Sequence, residues 1–239
     1  KIADKMKQKY IIGIDEVGRA ASKRRASPNS YIIGIDEVGR GPLAGPVTVA
    51  AIAATANFKF LISNFQKKFK VKLRDSKKLS PKQREIWFKW IKKQKIPLAI
   101  ADISPKIIDK INISKAANLA ATRCIIKLTT NNQRLTIKNC KIFLDGGLYL
   151  NLQPTTNNQR QNKIKAKTII RGDEKIPVIS LASIVAKVHR DKLMEKLSKK
   201  YPLYGFEKHK GYGTKLHYKN IKKHGISEIH RKSFLKKLQ

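Results

Sequence analysis

Carboxylates are scarce in this chain: 16 Asp and Glu stand against 53 Lys and Arg in 239 residues. Where they fall is therefore informative. Asp36 and Glu37 close an apolar run, Tyr31-Ile-Ile-Gly-Ile. Asp145 closes another, Ile142-Phe-Leu, and Asp173 follows a third, Thr168-Ile-Ile. A carboxylate at the end of a buried strand is costly unless it is paired or bound to a cation. Strand ends in α/β sheets are also where ligands bind. Four such groups converging would repel one another, and divalent cations relieve that repulsion. Oxygen ligands suit Mg²⁺ or Mn²⁺. Two such ions about 4 Å apart form a site that hydrolyses phosphodiesters in line. Asp36, Glu37, Asp145 and Asp173 are thus the candidate catalytic and metal-binding residues. Each also has a plainer reading. Asp36-Glu37 before Gly39 fits a strand-to-turn cap, and Asp145-Gly146 and Gly172-Asp173 fit turn dipeptides. Asp75, ahead of Ser76-Lys77-Lys78, reads as surface, and Asp191 as the partner of a neighbouring Arg or Lys. The five His are scattered without HxxxH spacing, and no CxxC occurs, so no zinc site is expected.

Those carboxylates need a sheet to position them. Residues 31–36 are apolar and β-branched, as in a buried strand. After a turn at 39–45, residues 46–54 form a second. Ser80-Pro81-Lys82-Gln83 reads as a helix start, with Ser80 as N-cap, Pro81 at N1 and Gln83 at N3. That helix runs to about Gln94. Residues 97–103 are a short strand, and Ser114 caps a helix to about Thr129. Residues 141–145 and 167–171 are strands, the second leading into Gly172-Asp173. A long helix spans 180–199, with Ile184, Val188 and Leu197 on one face. A last helix follows His217. Strands first, then helices and strands in alternation, imply an α/β fold with helices on the faces of a mixed sheet.

The chain is long enough for one domain with a sizeable core. Apolar residues make up 41%, which marks a folding sequence and not a disordered tail. A formal charge of +37 suits a polyanionic partner, nucleic acid first, although a composition biased towards Lys and Ile would supply part of it. Cys124 and Cys140 cannot build a disulfide framework. Both read as buried small side chains in a reducing, cytoplasmic setting. The basic opening, residues 1–10, has no apolar stretch after it, so no secretory signal is expected. The longest apolar run, residues 43–56, is short of a membrane span and contains Gly45 and Pro46.

Several motifs, in order, resemble ribonuclease HII. They are GIDEVGRGPLAGPV at 34–47, DSKKLS at 75–80, Asp145-Gly146, Gly172-Asp173, SIVAKVHRDKLM at 183–194, YPLYGFEKHKGYGTKLH at 201–217 and HRKSF at 230–234. The resemblance covers residues 31–235 or so. It implies a ribonuclease H-like mixed sheet flanked by helices, with a C-terminal helical part. It implies a catalytic quartet at Asp36, Glu37, Asp145 and Asp173, holding two Mn²⁺ or Mg²⁺ ions. One ion would activate the attacking water and the other stabilise the leaving 3′ oxygen. The implied substrates are RNA–DNA hybrids and DNA duplexes with embedded ribonucleotides, cut to 5′-phosphate and 3′-hydroxyl ends. Gly39, Arg40 and Gly41 would read the 2′-hydroxyl through the backbone, and Tyr212 would stack on the next deoxyribose. Lys77 and Lys187 would contact phosphates, and His209 and His230 would be structural. The implied setting is ribonucleotide removal during DNA replication and repair, by a monomer acting away from membranes. Competing readings are a non-catalytic basic binder of nucleic acid, ribonuclease HIII, and another two-metal nuclease or transposase.

One feature departs from the pattern. Residues 10–19 read YIIGIDEVGR, and residues 31–40 repeat the same ten letters. The first copy leads into a basic, small-residue stretch and has Ala20 where the second has Gly41. The second copy is therefore expected to start the fold at residue 31, with residues 1–30 an appendage outside a 31–239 domain. TNNQR recurs at 130–134 and 156–160 in polar stretches that read as loops, and the stretch 152–165 reads as a surface loop. Limited proteolysis should leave a stable core beginning near residue 30. Protection of residues 10–19 would reverse the assignment of the two copies.

Overall fold

Two apolar runs flanked by turn residues form the middle of a five-stranded sheet. The strands are β1 (Tyr31–Val38), β2 (Val47–Ala54), β3 (Leu98–Ile103), β4 (Cys140–Asp145) and β5 (Ala166–Ile169), in spatial order β3-β2-β1-β4-β5. The computed structural model describes residues 31–55, 58–137, 140–151 and 166–236. The first copy of the repeat and the polar stretch 152–165 lie outside them. β1 runs antiparallel to β2, and β2 to β3; β1 is parallel to β4, and β4 to β5. All eight residues of β2 are buried because helices cover both faces.

On one face lie α3 (Pro105–Ile111) and α4 (Ile113–Thr130). The small residues Ala116, Ala117, Ala120 and Ala121 bring α4 close to Ile33, Ile35 and Val49. On the other lie α1 (Phe58–Phe69), α2 (Pro81–Lys93) and α6 (Pro177–Lys200). Ala50 and Ile52 pack there with Trp87, Leu181 and Val185. Side chains alternate along β1, so Gly34 and Asp36 point away from the face of Ile33 and Ile35. A Cβ on Gly34 would sit 2.5 Å from the main-chain carbon of Val178. Only glycine lets α6 start this close to the strand. After α6 come α7 (Phe206–His209), packed on it through Ala44, Met194, Tyr204 and Phe206, and α8 (Lys215–His224), whose His217 ring stands edge-on to Phe206.

The second apolar run, the capping box at Ser80 and Gln83, and both buried cysteines match expectation. Other boundaries shift. β1 continues past Asp36 to Val38, because Asp36 and Glu37 pair with Ala50 and Val49 on β2. Ser114 is not a cap: Asn112, at φ 69°, holds the start of α4 by accepting from the Lys115 N–H. β5 is Ala166–Ile169, and Arg171 turns the chain at φ 54°. α6 begins at Pro177 and is buried all round from Val178 through Ala186, where a single apolar face was expected. α8 starts at Lys215, two residues ahead of His217, with Thr214 as its N-cap. The first TNNQR ends α4 at Thr130 and turns. α1 and α3 were not foreseen. No described helix is long and apolar enough to cross a membrane. Gly34→Ala should cost about 1–3 kcal/mol through overpacking, seen as a lower urea midpoint at unchanged slope. An unshifted midpoint would mean that α6 can lift off β1 without penalty.

Candidate active site

Parallel pairing sets Ile35 of β1 opposite Leu144 of β4. The next residues, Asp36 and Asp145, therefore arrive side by side. One carboxylate oxygen from each of Asp36, Glu37 and Asp145 lies within 4.8 Å of the other two. Local bonds aim them. Asp36 Oδ1 accepts the Glu37 N–H at 2.7 Å, and Asp145 Oδ1 accepts the Gly172 N–H at 2.6 Å. The second bond ties β4 to the short helix α5 (Gly172–Lys175), which carries Asp173. Asp173 is buried but stands outside the trio. Its carbonyl is held by Ser180 Oγ at 2.6 Å, and the charge of Asp75 acts on its carboxyl.

The electrostatics follow from this crowding. Burial, then the charges of Glu37 and Asp145, push the Asp36 carboxyl well above its usual range. Burial raises Glu37 to about 7, with Arg40 opposing and Asp145 adding. Burial, Asp145 and Asp75 raise Asp173 to about 6, against the pull of Lys77. Glu37 Oε2 is buried with no hydrogen-bond partner among the described residues. An oxygen-only donor set with an orphaned buried oxygen fits a hard divalent cation.

Beside the carboxylates lies the loop 39–46. Two buried arginines hold it by its carbonyls. Arg231 donates to Gly39 O at 2.6 Å, Arg40 O at 2.9 Å and Gly45 O at 3.0 Å. Arg190 donates to Pro46 O at 3.1 Å, Ala44 O at 3.3 Å and Lys210 O at 3.0 Å. Gly39, at φ 88°, has no room for a side chain, since a Cβ would meet Arg190 Nε at 2.3 Å. Gly41 faces Tyr212: a Cβ there would lie 3.9 Å from the ring, which is 40% exposed. Loop and tyrosine thus form adjacent walls next to the carboxylates. Arg40 turns its guanidinium back to Glu37 Oε1 at 3.5 Å and Ser114 Oγ at 3.1 Å. Lys77 is exposed, with its charge acting on Asp173. Lys187 has an internal partner, Asp191, at 2.9 Å, and Asp191 also lies 3.7 Å from Arg84.

Asp75 corrects the sequence reading. It is buried and not on the surface. Its Oδ1 caps the 3₁₀ turn 76–78 by accepting the Lys77 N–H at 3.0 Å. Ser76 Oγ meets Ser183 Oγ of α6 at 2.8 Å, which draws the turn under the helix. Ser183, also missed, opposes the upward shift of the Asp36 carboxyl. DSKKLS was visible as a motif, but nothing local to it signals burial.

The family model for ribonuclease HII matches residues 33–237. The chain belongs to the ribonuclease HII family. A ribonuclease HII from Bacillus cereus (strain Q1) is 41% identical over 225 residues, covering 94% of this chain and 68% of the relative. The crystal structure of ribonuclease H2 from Pyrococcus horikoshii OT3 superposes with a TM-score of 0.61 at 25% identity, over 87% of this chain and 96% of that one. Bst-RNase HIII in complex with Mn²⁺ gives a TM-score of 0.59 at 18% identity, over 98% of this chain and 76% of that one, a likeness of fold alone. The expected ribonuclease H-like architecture is therefore present. As a ribonuclease HII, the chain is a ribonuclease H endonuclease directed at the RNA strand of hybrids.

The raised carboxyls give this ribonuclease HII a testable pH signature. Without metal, the folded chain holds protons that the unfolded chain releases near pH 4. Glu37 and Asp173 therefore contribute stability below about pH 4 that is lost as pH rises through about 6 to 7. In EDTA, Glu37→Gln should match the parent at pH 5 and melt about 5 °C higher at pH 8. Mn²⁺ should raise the parent more than the variant. An equal offset at both pH values would show that Glu37 titrates normally.

Proposed function

We propose that this chain cuts the RNA strand of RNA–DNA hybrids and also cuts duplex DNA on the 5′ side of a single embedded ribonucleotide. The observation that carries the reading is the Asp36–Glu37–Asp145 cluster, with an unpartnered buried oxygen, set beside the walls formed by Gly41 and Tyr212. Asp173 joins the trio as the fourth catalytic carboxylate, and residues 31–239 are the catalytic unit.

Asp36, Glu37, Asp145 and Asp173 would hold two Mn²⁺ or Mg²⁺ ions, which supply positive charge to the scissile phosphate and acidity to the attacking water. The residues themselves do the positioning. The pairing of β1 with β4 and the bond from Gly172 fix where the carboxylates point. Backbone groups of Gly39, Arg40 and Gly41 meet the ribose, where the 2′-hydroxyl separates RNA from DNA. Tyr212 stacks on the following deoxyribose, so a ribonucleotide followed by DNA is the preferred site. Lys77 reaches a phosphate, and Lys187 does so by leaving Asp191. Water adds to phosphorus and the P–O3′ bond breaks; the 3′ oxygen takes a proton. The products are a 3′-hydroxyl and a 5′-phosphate on the ribonucleotide. Net charge of +37 favours the polyanion and predicts binding that weakens steeply with salt. The chain acts as a monomer in the cytoplasm, removing ribonucleotides during replication and repair.

The test is cleavage of a DNA duplex with one embedded ribonucleotide in Mn²⁺, Mg²⁺ or EDTA. Metal-dependent cutting 5′ of the ribonucleotide is expected. Asp36→Asn should slow it roughly a thousandfold, about 4 kcal/mol of barrier. Cutting confined to long hybrid stretches would point to the activity of ribonuclease HIII. Salt-sensitive binding with no cutting in any metal would favour the basic binder.

A further inference from the structure

His209, His217 and His230 are buried together in the C-terminal part. The rings of His209 and His217 stack 4.3 Å apart, and His217 Nε2 lies 3.1 Å from His230 Nε2. The bonds at the two ends of this row fix its protons. His217 Nδ1 is 2.9 Å from the Tyr212 carbonyl oxygen, which can only accept. Nδ1 therefore carries the hydrogen, and a neutral His217 offers Nε2 as acceptor. His230 Nε2 must then donate, which leaves His230 Nδ1 to accept. It does so from the Ser227 N–H at 2.9 Å and the Ser227 hydroxyl at 2.8 Å. Donor directions agree from Ser227 through both rings to Tyr212. Burial, above all, favours neutral rings here, and it presses both down to about 4. A proton added to either ring would set two N–H groups against each other.

The row also connects two parts of the site. His230 follows Ile229, whose carbonyl accepts the Gly45 N–H at 2.9 Å, and precedes Arg231, whose N–H donates to Leu43 O at 2.8 Å. The 229–231 segment is thus pinned to the loop 39–46. His217 pins the Tyr212 peptide to that segment in turn. The geometry points to His217 and His230 as positioning residues: a relay of neutral imidazoles that sets the place of Tyr212 against the Gly39–Gly41 loop. Neither ring touches substrate. The inference rests on reading Tyr212 as the sugar contact.

The test uses steady-state kinetics on a duplex with one embedded ribonucleotide and on a uniform hybrid. His217→Phe keeps a ring beside Phe206 and His209 but removes both bonds. It should raise KM for the embedded substrate about tenfold, with a smaller change in kcat, and lower the embedded-to-hybrid ratio of kcat/KM. His217→Asn, which can still donate to the Tyr212 carbonyl, should recover most of that ratio. Tyr212→Ala should give a similar loss, and the double variant no more than Tyr212→Ala alone. Nitrogen-15 spectra of the unmodified chain at neutral pH should show His217 as the Nδ1–H tautomer and His230 as the Nε2–H tautomer. The opposite tautomers, losses that add in the double variant, or an equal loss on both substrates would overturn the relay and leave the Tyr212 contact standing. A silent Tyr212→Ala would instead overturn the contact, and the relay's purpose with it.

Discussion

Two interior guanidiniums, Arg190 and Arg231, are the constraint on which the site depends. Neither forms a salt bridge among the described residues. Their charge is met instead by six main-chain carbonyls of residues 39, 40, 44, 45, 46 and 210. Burying an unpaired cation costs several kcal/mol, and charge-assisted bonds to carbonyls must offset it. Burial lowers Arg231 to about 9, still charged at neutral pH. The planar fork of arginine suits this task in a way that a lysine would not. With both forks in place, the loop leaving β1 takes one shape. That shape lays Gly41 beside Tyr212 and brings Arg40 back over Glu37.

Against this fixed positive frame stands a cluster that resists its own formation. The register of β1 and β4 brings Asp36 and Asp145 together whether or not a cation is there. Glu37 and Asp173 add to the crowding. The protein tolerates the repulsion because sheet pairing and the α6 contact at Gly34 hold the elements independently of the carboxylates, and the Gly172 N–H takes up part of the Asp145 charge. Core packing elsewhere sustains a site that is unfavourable in isolation.

Much of this was legible beforehand, and the exceptions share a cause. β2 and α2 announce themselves through β-branched composition and a capping box, which are local signals. The trio Asp36, Glu37 and Asp145 was legible as acids closing apolar runs in an acid-poor chain. Asp75 was not, because its burial is imposed by Ser183, 107 residues from Ser76. Ser114 looked like a cap, yet its hydroxyl accepts from Arg40 while Asn112 does the capping. α1 was passed over although Phe58, Ile62 and Phe65 follow helical spacing. The histidine row joins α8 to the 229–231 segment through space, and no spacing rule marks it. Sequence reports what neighbours along the chain decide; long-range hydrogen bonds escape it.

The grip on the loop is exerted through carbonyls, which every residue type possesses. Side chains such as those of Pro42 and Leu43 are not what the two forks grasp. The forks thus set the loop's outline without calling on the side chains of Pro42 or Leu43, whereas Gly39 and Gly45 have no room for one. The inheritance of that outline is entrusted to two positions more than 140 residues downstream.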